Sequence, residues 1–277
     1  MSEHGHEVVS PAQIANSVRA LLPFWGHLVV TEITEQTCRG YVRQRRHSIT
    51  GEAVAAGTVR NDIIVLAAAI RHDFQQGRLT RLVHIWMPPA SKRRERWLTR
   101  QEAASLIRAA RNGQHGRRHL PLFILMGIYT AARKEAILSL RWTQVDFGRG
   151  MIDFRTPGRE ATSKGRAQIP IPRRLMTFLR YARRHSSPTG FVIQYNGKPI
   201  KDVRKGFRFI CKRAGLDGIC PHTLRHTAAT WMVRADVPWW QIARYLGHTT
   251  TRQIEMTYGH HRPEWLSAAA SSFDRRA

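Results

Sequence analysis

Two adjacent prolines, Pro88-Pro89, followed by Ala90-Ser91-Lys92-Arg93-Arg94-Glu95-Arg96, interrupt a chain otherwise patterned for helices. Proline lacks an amide donor and its ring clashes with the preceding turn, so no regular helix runs through this point. The run of positive charge beside it has the composition of an exposed linker, one able to touch a phosphate backbone. The 277 residues therefore divide into a smaller unit, residues 1–89, a basic linker, 90–98, and a larger unit, 99–277. Both units are long enough to bury a core.

Hydrophobic spacing sets the expected elements. In the first unit, Ile14 to Leu22 and Glu35 to Arg46 read as amphipathic helices, and Ile63, Leu66, Ile70 and Phe74 mark the inner stripe of a third, from Thr58 to Gly77. The larger unit opens with Thr99-Arg100-Gln101-Glu102, a capping box ahead of the apolar positions Ala103, Leu106, Ile107 and Ala110. Leu120 to Tyr129 is apolar on all sides and suits a buried core helix, being shorter than the roughly 18 to 20 residues of a membrane span. Met151 to Thr156 and Ala167 to Ile171 read as short strands joined by a hairpin at Gly158 to Gly165, with Gly190 to Gln194 as a third strand. Helices resume from Lys201, among them Pro221 to Ala235 and one opened by Pro238. The expected fold class is mainly α (α+β), a helical N-terminal unit followed by a mostly helical unit carrying a small antiparallel sheet.

Charge points to the partner. Lys plus Arg number 45 against 19 Asp plus Glu, a formal charge of +26. A GC-rich genome accounts for a share of the arginines but not for the shortage of acids, so a polyanion is expected. The cations form clusters along the whole chain, at Arg43, Arg45 and Arg46, at Lys92, Arg93, Arg94 and Arg96, at Arg117 and Arg118, at Arg183 and Arg184, and at Arg204, Lys205 and Arg208. An extended surface, not a tail, carries the charge. Three widely spaced cysteines, Cys38, Cys211 and Cys220, read as thiols of a reducing cytoplasm. Met1 to Pro11 lacks the apolar segment of a signal peptide, and no membrane partner is expected.

The chemistry concentrates late in the chain. In Pro221-His222-Thr223-Leu224-Arg225-His226-Thr227, spacings of three and four bring imidazole and guanidinium groups to one helical face; Leu246-Gly247-His248 and Tyr258 follow. Guanidinium grips non-bridging phosphate oxygens in a planar fork, and a phenol becomes a nucleophile once its proton is drawn off. Together they are equipment for holding a phosphate in front of a nucleophile. His222 and His226 also share a His-x-x-x-His spacing, but Thr223 stands where the metalloprotease pattern requires glutamate, so no metal site is expected. His226 reads as a structural hydrogen-bonder, His260 and His261 as solvated. Tyr245 and the tryptophans Trp142, Trp231, Trp239 and Trp240 read as packing residues, with an interface as the alternative for Trp239 and Trp240.

Three boxes in order, Thr130-Ala131-Ala132-Arg133-Lys134-Glu135-Ala136-Ile137-Leu138-Ser139-Leu140-Arg141-Trp142, then His222 to Thr227, then Leu246-Gly247-His248 with Tyr258, resemble the tyrosine recombinases of the phage integrase family over essentially the full chain. The resemblance implies a site-specific recombinase that cleaves and rejoins double-stranded DNA through a 3′-phosphotyrosine, integrating or excising a mobile element or prophage. It implies Arg133 as the first catalytic arginine, His222 and Arg225 as the His-x-x-Arg pair, His248 as the later histidine on a phosphate oxygen, and Tyr258 as the nucleophile assisted by His222. Lys164, the only lysine between Lys134 and Lys198, is the candidate for the hairpin lysine that protonates the departing 5′-oxygen. No cofactor, nucleotide or metal is implied, because the phosphotyrosine conserves bond energy.

The resemblance further implies two units clamped in a C shape around the duplex, with Arg43, Arg45, Arg46, Lys92, Arg93 and Arg94 as DNA-contacting candidates, and a nucleoid-associated enzyme acting as a homotetramer on DNA. A helix opened by Pro263, Trp265 and Leu266 and running through Ala270 would dock onto a neighbouring protomer, and an accessory DNA-bending protein fits the same assembly. Three departures stand out. Ala136 replaces the acidic residue common three positions after the first arginine, the step from His248 to Tyr258 is ten residues, and the short stretch ahead of the helical unit leads us to expect no arm-site binding by this chain. Two other readings remain open, a non-catalytic DNA-binding relative and a type IB topoisomerase-like enzyme that relaxes DNA as a monomer.

Overall fold

The computed structural model describes residues 11–90, 95–113, 116, 119–155, 165–186 and 190–259. The chain forms two compact units, Met1–Arg94 and Glu95–Ala277.

The first unit holds three α-helices, α1 (Pro11–Trp25), α2 (Glu35–Gln44) and α3 (Ala56–Gln75), close to the spans expected from periodicity. Thr34 caps α2, its hydroxyl accepting from the Thr37 amide at 3.3 Å. Leu21 and Trp25 of α1 pack with Cys38 and Tyr41 of α2 and with Val59, Ile63 and Ile70 of α3. One charge lies inside. Asp62 accepts from the Tyr41 hydroxyl and from Arg45 Nε, both at 3.0 Å. A buried carboxylate deprived of its cation would be strongly destabilising, so this triad ties α2 to α3.

In the second unit α4 (Arg100–Arg111) begins with the capping box foreseen in the sequence, Thr99 Oγ accepting from the Glu102 amide while Glu102 accepts from the Thr99 amide. Next comes α5 (Leu120–Thr130), buried on almost every side, and then the short α6 (Lys134–Leu138). After the strands come α7 (Arg173–Arg184), α8 (Arg204–Arg213), α9 (Pro221–Arg234), α10 (Trp239–Leu246) and α11 (Arg252–Tyr258). The central pair is α5 against α9. A Cβ on Gly127 would stand 2.7 Å from Leu224 Cδ1, so only glycine lets the two backbones come this close. The end of α5 is thereby fixed beside the face of α9 that carries Arg225.

The sheet departs from expectation at one edge. Strands β1 (Val145–Asp146), β2 (Met151–Asp153) and β3 (Gln168–Pro170) form an antiparallel meander, with Ile152 opposite both Val145 and Ile169. The two strands read from the sequence are there, but their third partner is β1, not Gly190 to Gln194. That later segment makes an isolated bridge from Phe191 to Arg141 and buries Val192 and Ile193 in the core, while β4 (Gln194–Tyr195) turns back on β5 (Lys198–Pro199) as a separate ribbon. Two residues give too little alternation to announce a strand, which is why β1 was missed. The amphipathic α7 was also not anticipated.

The entry into this unit is stitched to α9. The Leu98 amide donates to Thr227 Oγ at 2.9 Å, Trp231 Nε1 donates to the Leu98 carbonyl at 3.0 Å, and the Arg100 guanidinium lies 3.5 Å from the centre of the Trp231 ring. Trp231 thus does more than pack.

Candidate active site

Four elements deliver the candidate residues. Helix α5 ends when Ala131 turns left-handed at φ 53°, and the chain continues extended through Arg133, the N-cap of α6. A non-glycine residue held in this region carries a cost of order ~1 kcal/mol, sustained here by complete burial. The reversal turns the Ala131 carbonyl towards α9, where it accepts from Arg225 at 2.8 Å. Pro221 at the first position of α9 presets the helix, so His222, Arg225 and His226 share one face as their spacing implied. Gly247 ends α10 at φ 70°, and His248 follows directly.

Arg225 is the hub. Besides Ala131 it donates to the Leu246 carbonyl at 2.9 Å and lies 2.7 Å from His248 Nε2. If the guanidinium donates there, the neutral His248 carries its proton on Nδ1, an atom that is buried and without a hydrogen-bond partner among the described residues. Burial, and then the charge of Arg133, pulls Arg225 down to about 9. Burial also pulls Arg133 down, with Glu135 opposing, and Arg133 donates to the Gly165 carbonyl at 2.6 Å. Two confined cations that disfavour each other's charge invite an anion. Between them lies a pocket of about 160 Å³ bordered by Arg133, Arg225, Glu135, Phe154, Gly165 and Tyr245.

Burial and neighbouring positive charge push all three histidines towards the neutral form. Desolvation, followed by the charges of His226, Arg225 and Arg133, draws His222 down to about 4, although part of the ring faces solvent. Desolvation and the same two arginines draw His248 to about 4, and desolvation with Arg225 lowers His226. Tyr258, the last residue of α11, is buried; burial pushes its phenol up to about 12, with Arg225 pulling the other way. Its hydroxyl lies 2.7 Å from His226 Nδ1. Reading by sequence set His222 beside the nucleophile, whereas the ring that meets it is His226; His222 stands edge-on to His226, ring centres 4.6 Å apart. On a helix the fourth residue along, not the first, faced the docking α11.

Arg133, His222, Arg225, His248 and Tyr258 are thus gathered into one neighbourhood. Lys164 and Lys92, Arg93 and Arg94 lie outside the described residues, as does the segment from Pro263. Among the other basic candidates, Arg43 and Arg46 are exposed, while Arg45 is turned inward onto Asp62. Tyr245 packs as expected, donating its hydroxyl to the Tyr129 carbonyl at 2.8 Å. Not foreseen was the closeness of Gly165 to Gly247, backbone against backbone beside Arg133 and His248. Gly247 could be read as a helix terminator, but nothing local in the sequence pairs it with Gly165.

Comparison with known proteins adds an independent line. A model of the phage integrase family matches residues 96–264. The integrase of Salmonella phage P22 is 24% identical over 202 residues, covering 69% of this chain and 50% of its own length. The shufflon-specific DNA recombinase of Escherichia coli is 25% identical over 213 residues, covering 74% and 52%. The chain therefore spans about half the length of these two curated relatives. Among solved structures, the Tn1549 transposon integrase in complex with transposon right end DNA aligns with a TM-score of 0.74 at 15% identity, covering 99% of this chain and 96% of that one. At that identity the likeness speaks for the fold.

Proposed function

Because this chain belongs to the phage integrase family, we propose that it is a site-specific tyrosine recombinase, cutting and rejoining double-stranded DNA through a 3′-phosphotyrosine. The observation that carries this reading is the convergence of Arg133, Arg225, His248 and Tyr258, from four separate elements, on one buried cationic neighbourhood. The excess of 45 basic over 19 acidic residues supports a DNA partner.

The chemistry follows from the groups. Phosphoryl transfer is catalysed mostly by positioning and by neutralising charge. Arg133 and Arg225 take the two non-bridging oxygens of the scissile phosphate, and their mutual repulsion is relieved as they do so. For His248 to donate to the same group, its Nε2 carries the proton and turns from the Arg225 guanidinium to the phosphate oxygen. Tyr258 Oη attacks phosphorus, the bond to the 5′-oxygen breaks, and that oxygen takes a proton from Lys164 acting as general acid. The reverse sequence, with a new 5′-hydroxyl attacking the phosphotyrosine, reseals the strand.

The acting form proposed is a tetramer on DNA, a nucleoid-associated assembly in which Arg43, Arg46 and the basic stretch Lys92 to Arg94 contact phosphates. The segment from Pro263 onward docks on a neighbouring protomer. Among the described residues no helix is long and apolar enough to cross a membrane.

The test is covalent trapping. A duplex selected by the protein from a random-sequence pool, nicked at successive positions, is incubated with the wild type and with Tyr258→Phe. The wild type is expected to leave a protein–DNA adduct on a denaturing gel, and Tyr258→Phe to bind equally without one. Tight, salt-sensitive binding with no adduct from the wild type would overturn the reading in favour of a non-catalytic DNA-binding protein.

A further inference from the structure

The buried phenol poses a problem that the arginines do not solve. Tyr258 sits in an apolar cluster with Ala131, Ala228, Ala229, Val233, Ile242 and Ile254, and its hydroxyl must shed a proton there before or during attack. A base has to reach Oη itself. His222, at the usual position for an assistant, turns its ring to His226. His226 lies within hydrogen-bond distance of Oη, at 2.7 Å through Nδ1.

The state of that ring suits the task. Desolvation and the adjacent Arg225 push His226 towards its neutral form, and in the tautomer that carries its proton on Nε2 the bare Nδ1 accepts from the phenol. Among the described residues the groups facing it are Arg225 and His222 on α9 and Tyr258 on α11. A protonated His226 would be opposed by Arg225. With a phosphate held by the arginines, the anion offsets that repulsion and the imidazole becomes a better proton acceptor only when substrate is present.

Resting on the reading of Tyr258 as nucleophile, we propose that His226 is a further catalytic residue, the proton acceptor for the phenol. As the Oη–phosphorus bond forms and the bond to the 5′-oxygen breaks, the phenolic proton passes to Nδ1, leaving an imidazolium beside the phosphotyrosine. On rejoining, the 5′-hydroxyl attacks, the Oη–phosphorus bond breaks, and Nδ1 returns the proton to the phenolate. Substrate-dependent basicity keeps the nucleophile silent until DNA is seated.

The experiment measures single-turnover adduct formation on the selected nicked duplex for the wild type, His226→Ala and His226→Asn. The asparagine carbonyl stands near the place of Nδ1 and can hold the hydroxyl, but cannot take a proton. Both variants are expected to bind DNA as the wild type does and to form adduct about 100-fold more slowly, the usual scale for a lost general base. Added imidazole is expected to restore His226→Ala, more strongly for more basic imidazoles, a response that a merely structural role would not give. Wild-type rates in His226→Ala, or full activity in His226→Asn, would overturn the proposal while leaving the recombinase reading intact. No adduct from the wild type would overturn the recombinase reading, and this one with it.

Discussion

The backbone of Gly165 runs against that of Gly247 so closely that a Cβ added to Gly165 would lie 2.4 Å from the Gly247 carbonyl oxygen. Both contact points are functional in placement. The Gly165 carbonyl accepts from Arg133, and Gly247 leads into His248. Gly165→Ala must therefore push the two segments apart and carry Arg133 with them. A shift of 1 Å in a positioning group can cost about 100-fold, and that is the loss of adduct formation expected, measured on the trapping duplex with DNA affinity held as the control. Gly247→Ala should add a stability loss of about 1 kcal/mol or more, because alanine is strained at φ 70°, and this is read in a denaturant titration.

Arg133 and Arg225 disfavour each other's charge across the pocket they border. Inorganic phosphate, as the smallest stand-in for the scissile group, should relieve this. At a concentration about ten times its dissociation constant it is expected to stabilise the protein by about 1.4 kcal/mol, seen as a rise in thermal midpoint. Arg225→Gln should abolish that rise. An equal rise in the variant would show that the anion binds elsewhere.

The histidines predict a direction for acid sensitivity. His248 titrates near about 4 in the folded chain against an ordinary 6.5, and His222 is shifted the same way. Between those values the unfolded chain binds more protons, so folding stability falls as the pH drops from about 6.5 to about 4 and levels off below. For His248 the loss is at most about 3 kcal/mol, and the exposed side of His222 makes its share smaller. Unfolding of the full chain across this range should show the slope, and His248→Gln should flatten it.

Lys164, assigned by resemblance, is tested by the leaving group. Lys164→Ala is expected to slow adduct formation on ordinary DNA by about 100-fold or more. A duplex whose bridging 5′-oxygen is replaced by sulfur expels a thiolate, conjugate to a thiol of pKa roughly 8.5, without needing an acid. There the variant should approach the wild-type rate. A variant still slow on the sulfur substrate would make Lys164 a phosphate contact instead.

The sequence by itself determined most of the helices, two of the three sheet strands and the chemistry they carry. The helices from Leu120, Pro221 and Trp239 were legible because periodicity, Pro at a first turn and Gly at a last one are local signals. The spacing of His222, Arg225 and His226 already fixes their common face, and Arg133, His248 and Tyr258 stand out through the boxes that contain them.

Tertiary structure decided what those groups touch. That His226 rather than His222 meets Tyr258 depends on where α11 docks against α9, 32 residues away in sequence. That Ala131 must turn left-handed and offer its carbonyl to Arg225 depends on a contact spanning 94 residues. The inward turn of Arg45 onto Asp62 hides one cation from any DNA, and the two-residue β1 exists only because β2 is beside it. Local patterns specify backbone shape because they act through neighbouring dihedrals and helical turns. Partner choice is set by packing between distant segments, which one-dimensional spacing does not encode.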